Sequence, residues 1–229
     1  MVIAFIPARG KSKRLPRKNI RMFSGKPLLA YSIEAARSCS LIDECFVSTD
    51  DKEIAEVARA YGAGVIDRPD EISGDFSSTA EAARHALQFL GKRGLDVEAL
   101  VTLQPTNPLR NVSLHIDEAI RLFHSDPTLD SVITVTLNKR KIGRVEDGYF
   151  VPDYEAGARS QDLPETYFEN GLVYVTRAAV VLENCDLHGK RIKPLFTDPL
   201  YALADIDTEL DFNIAELLFE KYRENFDYE

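Results

Sequence analysis

Short apolar runs alternate with amphipathic stretches over the first 137 residues of the chain. The apolar runs predict buried strands at 2–7, 45–49, 65–66, 99–104 and 131–137. Stretches with helical spacing lie between them and predict helices that begin near Pro27 and that cover 54–62, 77–91 and 112–124. Strands that alternate with helices are typical of an α/β fold in which a mostly parallel sheet carries helices on both faces.

Residues 138–170 interrupt this alternation. The segment is rich in glycine, proline and charge, and its one apolar cluster is too short to form a core. Loops of this length in a compact domain are usually functional or reach a partner. We therefore expect an excursion that covers the active site or crosses to a second subunit. After it, a strand at 171–175 and a long helix at 209–225 are predicted to complete a single domain spanning 1–229.

Positive charge is concentrated near the start of the chain, although the whole protein carries a net charge of −9. Residues 9–26, called the basic loop below, hold eight of the 28 Lys and Arg residues, and the first acidic residue is Glu34. In open α/β sheets the loop that leaves the first strand commonly holds phosphates. Arginine presents a planar fork to phosphate oxygens and lysine a compact charge. The basic loop therefore predicts a nucleoside triphosphate site.

The two familiar phosphate-binding motifs are absent from the basic loop. Gly10-Lys11-Ser12 resembles the end of a Walker A loop, but the first glycine of that motif would fall at Phe5, and no G-x-G-x-x-G is present. A nucleic-acid patch is the alternative. Single-strand binders interleave aromatic residues with cations, whereas this loop offers only Phe23. We therefore expect a small polyanionic ligand and no nucleic-acid partner.

A pair of aspartates lies shortly before the terminal helix. In an extended segment Asp205 and Asp207 point to the same side, and two adjacent carboxylates repel each other unless a cation lies between them. Mg²⁺ commonly takes one or two carboxylates together with substrate phosphates. The alternative is that the acidic residues serve the helix start, for which Thr208 and Asp211 are well placed. We expect Asp205 and Asp207 to bind Mg²⁺.

The segment Leu103-Gln104-Pro105-Thr106-Asn107-Pro108-Leu109-Arg110 follows a central strand, at the sheet edge where such folds bind ligands. Its two prolines exclude a helix. Gln104 offers a hydrogen-bond donor and an acceptor, which suits sugar hydroxyls or an N-acyl group.

Composition narrows the remaining possibilities. The chain is 45% hydrophobic and 28% charged, which excludes disordered and fibrous classes. It shows neither a secretory apolar region nor a window of about 20 apolar residues, so we expect a cytoplasmic protein without a membrane partner. Three cysteines without C-x-x-C spacing suggest neither disulfides nor zinc, and four scattered histidines suggest no catalytic arrangement.

Taken together, these segments resemble the CMP-N-acylneuraminate synthetase family of cytidylyltransferases. The matching segments occur in family order at 6–20, 25–36, 47–63, 68–71, 103–110, 160–175 and 205–212. The resemblance implies a three-layer, Rossmann-like nucleotidyltransferase fold with a protruding dimerisation arm. It also implies that the anomeric hydroxyl of an acidic 2-keto sugar attacks the α-phosphate of CTP and expels pyrophosphate, with assistance from Mg²⁺.

The resemblance also implies roles for individual residues. Nucleotide binding falls to Arg9, Lys11, Ser12, Lys18, Asn19, Arg68, Ser78 and Thr79. Sugar binding falls to Gln104, Arg159, Gln161 and Tyr174. Mg²⁺ binding falls to Asp205 and Asp207. Catalysis is assigned to Lys18, which would stabilise charge on the α-phosphate and pyrophosphate, to Arg9 and to Asp207.

Two departures from the family pattern bear on the acceptor. Lys11 replaces a glycine found in many relatives, and the family's common arginine before Gln161 is Ser160 here, with Arg159 one place earlier. The 103–110 segment favours an N-acylneuraminate or legionaminate acceptor, while pseudaminate, an eight-carbon 3-deoxy sugar acid and a sugar or alditol phosphate stay as alternatives. The family's excursion exchanges with a second subunit, so we expect a homodimer in which 138–170 contributes to the neighbour's sugar pocket.

Overall fold

The computed structural model describes residues 1–226, so 227–229 of the predicted 1–229 domain lie outside the described residues. The strands are β1 (Val2–Pro7), β2 (Met22–Phe23), β3 (Lys26–Pro27), β4 (Glu44–Thr49), β5 (Gly64–Asp67), β6 (Ala99–Thr102), β7 (Ser131–Asn138), β8 (Gly143–Glu146), β9 (Tyr149–Pro152), β10 (Thr166–Arg177) and β11 (Ile192–Thr197). The α-helices are α1 (Leu28–Ser38), α2 (Lys52–Ala60), α3 (Thr79–Lys92), α4 (Glu118–Ser125), α5 (Ala178–Asn184), α6 (Pro199–Ala202) and α7 (Glu209–Lys221).

A seven-stranded sheet forms the centre of the fold, with strand order β11-β7-β10-β6-β1-β4-β5. Strand β1 pairs in parallel with β4 and β6, β4 with β5, and β7 with β11. Strand β10 is antiparallel to both of its neighbours, β6 and β7. The predicted mostly parallel sheet is confirmed, with one reversed strand that the sequence pattern does not predict.

Strand β1 shows why the sheet is covered on both faces. Ala4 and Ile6 pack into a core shared with α1, α2, α4 and α7, whereas Ile3 and Phe5 pack against α3 and α5. Successive side chains of a strand point to opposite faces, so a strand between two helical layers needs apolar residues at every position. The continuous apolar run at 2–6 thus encodes the three-layer arrangement.

Side-chain caps start the helices at the predicted places. Asp51 accepts hydrogen bonds from the backbone at the start of α2, and Ser78 with Glu81 forms a capping box at α3. Thr208 and Asp211 form a second capping box at α7. Each such cap stabilises its helix by about 1 kcal/mol. Within the described part of the chain, no helix combines the length and apolar character needed to cross a membrane.

Several elements differ from the sequence-based prediction. The predicted strand 171–175 is the second half of the longer β10, and the predicted helix 209–225 ends at Lys221, followed by a 3₁₀ turn at Arg223–Asn225. The predicted helix 112–124 begins as a π-helical segment before α4. The pattern does not predict β8, β9, β11, α5 or α6. Strand β11 escapes detection because it is an exposed edge strand that contains Pro194, so it lacks a buried apolar run.

Residues 138–170, called the arm below, are more regular than a bare loop. Strands β8 and β9 form a hairpin, and the first residues of β10 pair with the end of β7. The hairpin carries exposed apolar side chains: Val145 is 71%, Tyr149 77% and Phe150 59% exposed. Several exposed apolar side chains on one short hairpin favour an interaction site. Whether the arm dimerises stays a prediction, as does the single-domain span.

A buried arginine holds the segment that follows β6. Arg110 is fully buried; its Nε donates to the carbonyl of Leu172 at 2.6 Å, its Nη1 to Oγ of Ser32 at 2.8 Å, and its Nη2 to the carbonyl of Gln104. Asn107, also buried, donates to the carbonyl of Asn170 at 3.1 Å. These bonds tie the loop carrying Gln104 to β10 and α1, so the position of Gln104 depends on the core.

We expect Arg110→Ala to lower the free energy of unfolding by about 3 kcal/mol or more, because each buried acceptor left without a donor costs about 1–3 kcal/mol. Urea denaturation followed by circular dichroism would measure the loss. Arg59→Ala, on the exposed side of α2, is the matched control and should change stability by less than about 0.5 kcal/mol. Equal stabilities of the two variants would show that the buried guanidinium does not anchor this loop.

Candidate active site

A cleft of about 460 Å³ opens where the basic loop, the start of α3, the segment after β6 and the turn before α7 meet. This is the edge at which the parallel strands β1, β4 and β6 end, the usual ligand site in such sheets. The structure brings together in its lining nine of the residues singled out from the sequence, namely Arg9, Ser12, Lys18, Asn19, Arg68, Ser78, Thr79, Gln104 and Asp207.

The basic loop is folded back onto the ends of the strands. The side chain of Asn19 is buried, and its Nδ2 donates to the carbonyl of Arg9 at 3.0 Å. The backbone N–H of Gly10 donates to Oδ1 of Asp50 at 2.8 Å, directly after β4. Arg17 adopts a left-handed backbone with φ of 60°, which reverses the chain before Lys18. These contacts give the loop a defined shape.

Two cations of the loop converge on a carboxylate across the cleft. Lys13 Nζ lies 2.5 Å from Oδ2 of Asp75, and Arg9 Nη1 lies 3.5 Å from its Oδ1 while also donating to the carbonyl of Gly74 at 2.8 Å. The hydrogen bond from Lys13 lowers the pKa of Asp75. Exposed ion pairs of this kind contribute little to stability because water and salt screen them. Phosphate oxygens can therefore replace Asp75 at little cost. Lys11, by contrast, is exposed and lies outside the cleft lining.

A second convergence joins the basic loop to the aspartate pair. Lys18, whose side chain is only 11% exposed, donates to the carbonyl of Ile206 at 2.6 Å, and its Nζ lies 3.3 Å from Oδ1 of Asp207. Arg14 Nη1 lies 2.8 Å from Oδ2 of the same carboxylate. Asp207 thus carries a cation on each oxygen, and its own side chain is half exposed.

Asp205 lies beside Asp207 but not in the cleft lining. Part of its surface reaches solvent, yet the protein packed around its carboxyl raises its pKa, and the charge of Asp207 raises it further. Asp211 instead serves the helix start: its Oδ2 accepts from the backbone and hydroxyl of Thr208 at 2.7 and 2.8 Å. Helix capping therefore explains Asp211. It does not explain Asp205 and Asp207, which do not cap α7.

The donor set at this place fits a hard cation. Among the described residues, no group of three or more His, Cys, Asp or Glu side chains is arranged to hold a metal ion. A cation here would need oxygens from a ligand in addition to Asp205 and Asp207. Two carboxylates completed by substrate phosphates and water are a common environment for Mg²⁺.

The opposite wall of the cleft is built on a buried guanidinium. Arg68 Nε donates to Oγ of Ser48 at 3.1 Å and Nη2 to the carbonyl of Ser48 at 2.8 Å. Burial lowers the pKa of Arg68 to about 10, with Arg9 adding to the effect and Asp50 opposing it, so the group stays charged at neutral pH. Ser78 and Thr79 form the adjoining N-terminus of α3, where backbone N–H groups favour polar or anionic ligands.

The four residues predicted to bind the sugar do not converge within one chain. Gln104 lines the cleft. Arg159 is paired with Asp162, at 2.6 Å between Nε and Oδ2, and Gln161 lines a separate cavity of about 620 Å³ in the arm. Tyr174 is buried, and its hydroxyl donates to Oε2 of Glu169 at 3.2 Å. Burial and the neighbouring Glu169 raise the pKa of that phenol.

The sequence does not single out the other lining residues individually, namely Pro7, Lys13, Arg14, Asp75, Ser77, Pro105 and Thr106, although Pro105 and Thr106 belong to the 103–110 segment. Lys13 and Arg14 are visible in the sequence only as part of a charge total. Asp75 lies in a short loop without a recognisable motif, so no local signal marks it. Only the folded geometry shows that these residues share a cleft.

Close packing explains Gly10 in the basic loop. A Cβ added at Gly10 would lie 2.7 Å from both Cβ and Oδ2 of Asp51, the residue that caps α2. We expect Gly10→Ala to lower the free energy of unfolding by about 1–3 kcal/mol because the loop or the cap must move. Gly91→Ala is the control, since it lies in α3 with open space and should stabilise the protein by about 0.5–1 kcal/mol. Urea denaturation of both variants would measure the two free energies of unfolding. A Gly10→Ala variant that is more stable than the wild type would contradict this close packing.

Comparison with known proteins agrees with this geometry. The family model described as "Cytidylyltransferase" matches residues 3–177. An N-acylneuraminate cytidylyltransferase of Escherichia coli is 34% identical over 96% of this chain and 52% of its own length. A pseudaminic acid cytidylyltransferase of Campylobacter jejuni is 34% identical over 97% and 98%. A CMP-N,N'-diacetyllegionaminic acid synthase of Legionella pneumophila is 32% identical over 97% and 98%.

Solved structures with the same fold are more distant in sequence. A CMP:2-keto-3-deoxy-manno-octonic acid synthetase complexed with CTP aligns with a TM-score of 0.72 at 17% identity, covering 96% of this chain and 98% of that one. A 4-diphosphocytidyl-2C-methyl-D-erythritol synthase aligns with a TM-score of 0.73 at 16% identity, covering 95% and 97%. The chain spans about half the length of the Escherichia coli relative and nearly all of the Campylobacter and Legionella relatives. The sequence match over most of its length shows that the chain belongs to the cytidylyltransferase family.

Proposed function

We propose that this protein transfers CMP from CTP to the anomeric hydroxyl of an acidic 2-keto sugar of the N-acylneuraminate or legionaminate type and releases pyrophosphate. One observation carries the proposal beyond family membership. Lys18 of the basic loop lies 3.3 Å from Asp207, although 189 residues separate them in the chain. Cations of the basic loop and the carboxylate of Asp207 thus share one cleft, which supports binding of a triphosphate together with Mg²⁺.

Within this proposal the basic loop and Arg68 hold the nucleotide. Arg9, Ser12 and Asn19 line the cleft beside Lys18 and supply cationic and polar donors for the triphosphate and ribose. Arg68 and the N-terminus of α3 form the wall suited to the cytidine. Lys11, being exposed, acts at most through its charge.

Transfer requires charge neutralisation more than covalent chemistry by the protein. Mg²⁺, held by Asp205 and Asp207, would neutralise phosphate charge when bound. Lys18 and Arg9 are placed to stabilise the negative charge that grows on the departing pyrophosphate. Asp205, whose pKa is raised by the protein packed around its carboxyl and by the charge of Asp207, is also suited to accept the proton of the attacking hydroxyl.

The relatives support an acidic sugar as the acceptor, because they are named for N-acylneuraminate, pseudaminic acid and legionaminic acid. These relatives are similarly distant, so pseudaminate stays an alternative, as does a 3-deoxy octulosonate. A sugar or alditol phosphate is the other candidate class. It would need cations beside Gln104, whereas the cations that line the cleft are Arg68 and members of the basic loop, Arg9, Lys13, Arg14 and Lys18.

We also propose that the protein is a homodimer in which the arm contributes Arg159 and Gln161 to the neighbour's sugar pocket. Two observations support this. Both residues are separated from Gln104 within their own chain, and the arm presents exposed apolar side chains to a partner. The single domain predicted for 1–229 would then have the arm as its only excursion.

The proposed site of action is the cytoplasm. The three cysteines Cys39, Cys45 and Cys185 are free thiols, as is usual in a reducing compartment. Burial raises the pKa of Cys39 and of Cys45 to about 12, so these two thiols are unreactive fillers of the core. We propose no nucleic-acid partner, because a triphosphate accounts for the basic loop.

The reaction is tested by measuring pyrophosphate release with CTP and Mg²⁺ across N-acetylneuraminate, a legionaminate, a pseudaminate and a 3-deoxy octulosonate. We expect release with one acidic sugar, and we expect Asp207→Asn to lower kcat by about 10²-fold or more, because charge stabilisation at the phosphate is lost. The fold and most of the CTP affinity should remain. Asp198→Asn, at the start of α6, is the control and should keep full activity. CTP binding without release on any acceptor would move the acceptor outside the sugar acids.

The dimer is tested by light scattering at assay concentration, where we expect twice the 25.7 kDa mass of the chain. Val145→Glu in the arm should give a monomer that still binds CTP but turns over poorly, because a charge would have to be buried at the interface. Leu217→Glu on α7 is the control: both residues are 71% exposed, but Leu217 lies outside the arm. A monomeric wild-type protein, or a monomeric variant that keeps its activity, would contradict the proposal that the arm contributes to the neighbour's sugar pocket.

A further inference from the structure

Strand β10 leaves its pairing with β7 for several residues. Glu169 pairs with Val135 and Tyr174 with Ile133, so β10 advances by five residues where β7 advances by two. The extra residues form a bulge that is held firmly. Asn170 is buried, and its Nδ2 donates to the hydroxyls of Thr136 at 2.9 Å and Thr197 at 2.6 Å.

The bulge lies at the same sheet edge as the cleft. Tyr174 pairs with Thr102, the last residue of β6, and β10 runs antiparallel to β6. The residues of β10 that precede Tyr174 therefore extend beyond the end of β6, on the side where Gln104 follows. A methyl group at Gly171 would lie 3.7 Å from Oε1 of Gln104, which lines the cleft. The bulge and the proposed acceptor end of the cleft are thus neighbours.

One carboxylate that flanks this bulge is held by two donors. Glu169 accepts from the hydroxyl of Tyr174 at 3.2 Å, and both of its oxygens lie 3.1 Å from Nε2 of His188. Nδ1 of the same imidazole lies 3.3 Å from Oδ1 of Asp186. Burial lowers the pKa of His188, but Glu169 and Asp186 more than offset this and leave it raised. The side chain of Glu169 is nevertheless 45% exposed.

We propose that Glu169 is a further acceptor-binding residue, which accepts hydrogen bonds from hydroxyl or N–H donors of the sugar acid and keeps the acceptor's own carboxylate away from this end. Tyr174 and His188 are positioning residues that orient Glu169, with Asp186 behind His188. The inference rests on the proposed function, because it assigns the acceptor end of that same cleft. Tyr174 then acts through Glu169 rather than by touching the sugar.

The chemistry follows from the number of donors around the carboxylate. An ionised carboxylate has about four lone-pair sites, and two protein donors leave capacity that faces solvent. A polyhydroxylated acceptor with an N-acyl group supplies O–H and N–H donors in abundance. Its carboxylate would instead meet a charge of the same sign, which costs free energy in a partly desolvated site. Glu169 therefore selects which end of the acceptor enters.

The test uses the full-length protein with CTP and the acceptor that the wild type turns over. We expect Glu169→Gln to raise KM for the sugar acid about tenfold or more, because a hydrogen bond to a charged acceptor is lost, and to leave KM for CTP unchanged. Glu183→Gln on the exposed side of α5 makes the same chemical change outside the site and should alter neither constant. An unchanged or lowered sugar KM for Glu169→Gln overturns the inference.

A double-mutant cycle separates binding from positioning. If Tyr174 acts through Glu169, Tyr174→Phe should raise the sugar KM in the wild-type background but add little in the Glu169→Gln background. Deoxy or O-methyl analogues of the acceptor form a second cycle: the analogue that lacks the contacted donor should be penalised by the wild type and not by Glu169→Gln. Additive effects in both cycles would overturn the inference.

Two further outcomes keep the test decisive. If Glu169→Gln fails to fold, His188→Gln replaces it in the test, because the side chain of His188 is partly exposed. We expect His188→Gln to raise the KM for the sugar acid by a smaller factor. An unchanged KM for that variant overturns the inference. Absence of wild-type turnover with every sugar acid overturns the proposed function and this inference together. If the wild type turns over a sugar acid and Glu169→Gln leaves its KM unchanged, the inference is overturned but the proposed function is not.

Discussion

The structure depends on how an acidic protein folds a loop that carries eight cations. Carboxylates from distant parts of the chain meet them: Asp51 and Glu53 pair with Arg17, and Glu209 pairs with Arg21 at 2.5 Å. Asp75 and Asp207 take up the cations nearest the cleft. Without such partners, the mutual repulsion of the loop would oppose its compact form.

The pairs that shape the loop differ in how easily a ligand can replace them. Arg17 and Arg21 bind acids at the starts of α2 and α7, where the helix dipole also favours negative charge, so these pairs fix the second half of the loop. The partners of Lys13 and Arg14 are partly exposed, and pairs in that setting contribute little. The framework of the loop can therefore stay in place while its cleft-facing cations exchange carboxylates for phosphates.

The reversed strand β10 links this nucleotide side to the rest of the sheet. Because it runs against β6, its bulge lies beside the loop that carries Gln104. The buried Arg110 and Asn107 bind backbone carbonyls on both sides of that junction. Buried polar groups must be hydrogen-bonded to be tolerated, so they allow few arrangements of the two segments. The acceptor end is therefore specified by core contacts rather than by loop sequence.

The limits of sequence-based prediction follow from the same contacts. The apolar run of β1 and the caps of α2, α3 and α7 are local signals, and these elements lie where the pattern predicts them. Pairings such as Lys13 with Asp75, or Glu169 with His188, join residues whose proximity depends on the folded sheet. The direction of β10 is set by its neighbours and leaves no periodic trace. The resemblance to a family supplied nine of the residues that line the cleft, whereas Lys13, Arg14 and Asp75 are recognised as lining residues only in the folded chain.

Charge is divided unevenly along the cleft, and this division bears on the need for a second subunit. The cations that line it belong to the basic loop or to Arg68, while Gln104 and Thr106 are neutral and the carboxylates of Asp205 and Glu169 both lie near Tyr174. An acidic sugar would bring a further negative charge into a cleft whose own chain already offers carboxylates near Gln104. The arm carries Lys139 and Arg140 around its separate cavity. In the proposed dimer, the positive charge that the acceptor end lacks would come from the neighbouring arm, which would make nucleotide binding a property of one chain and sugar-acid binding a property of two.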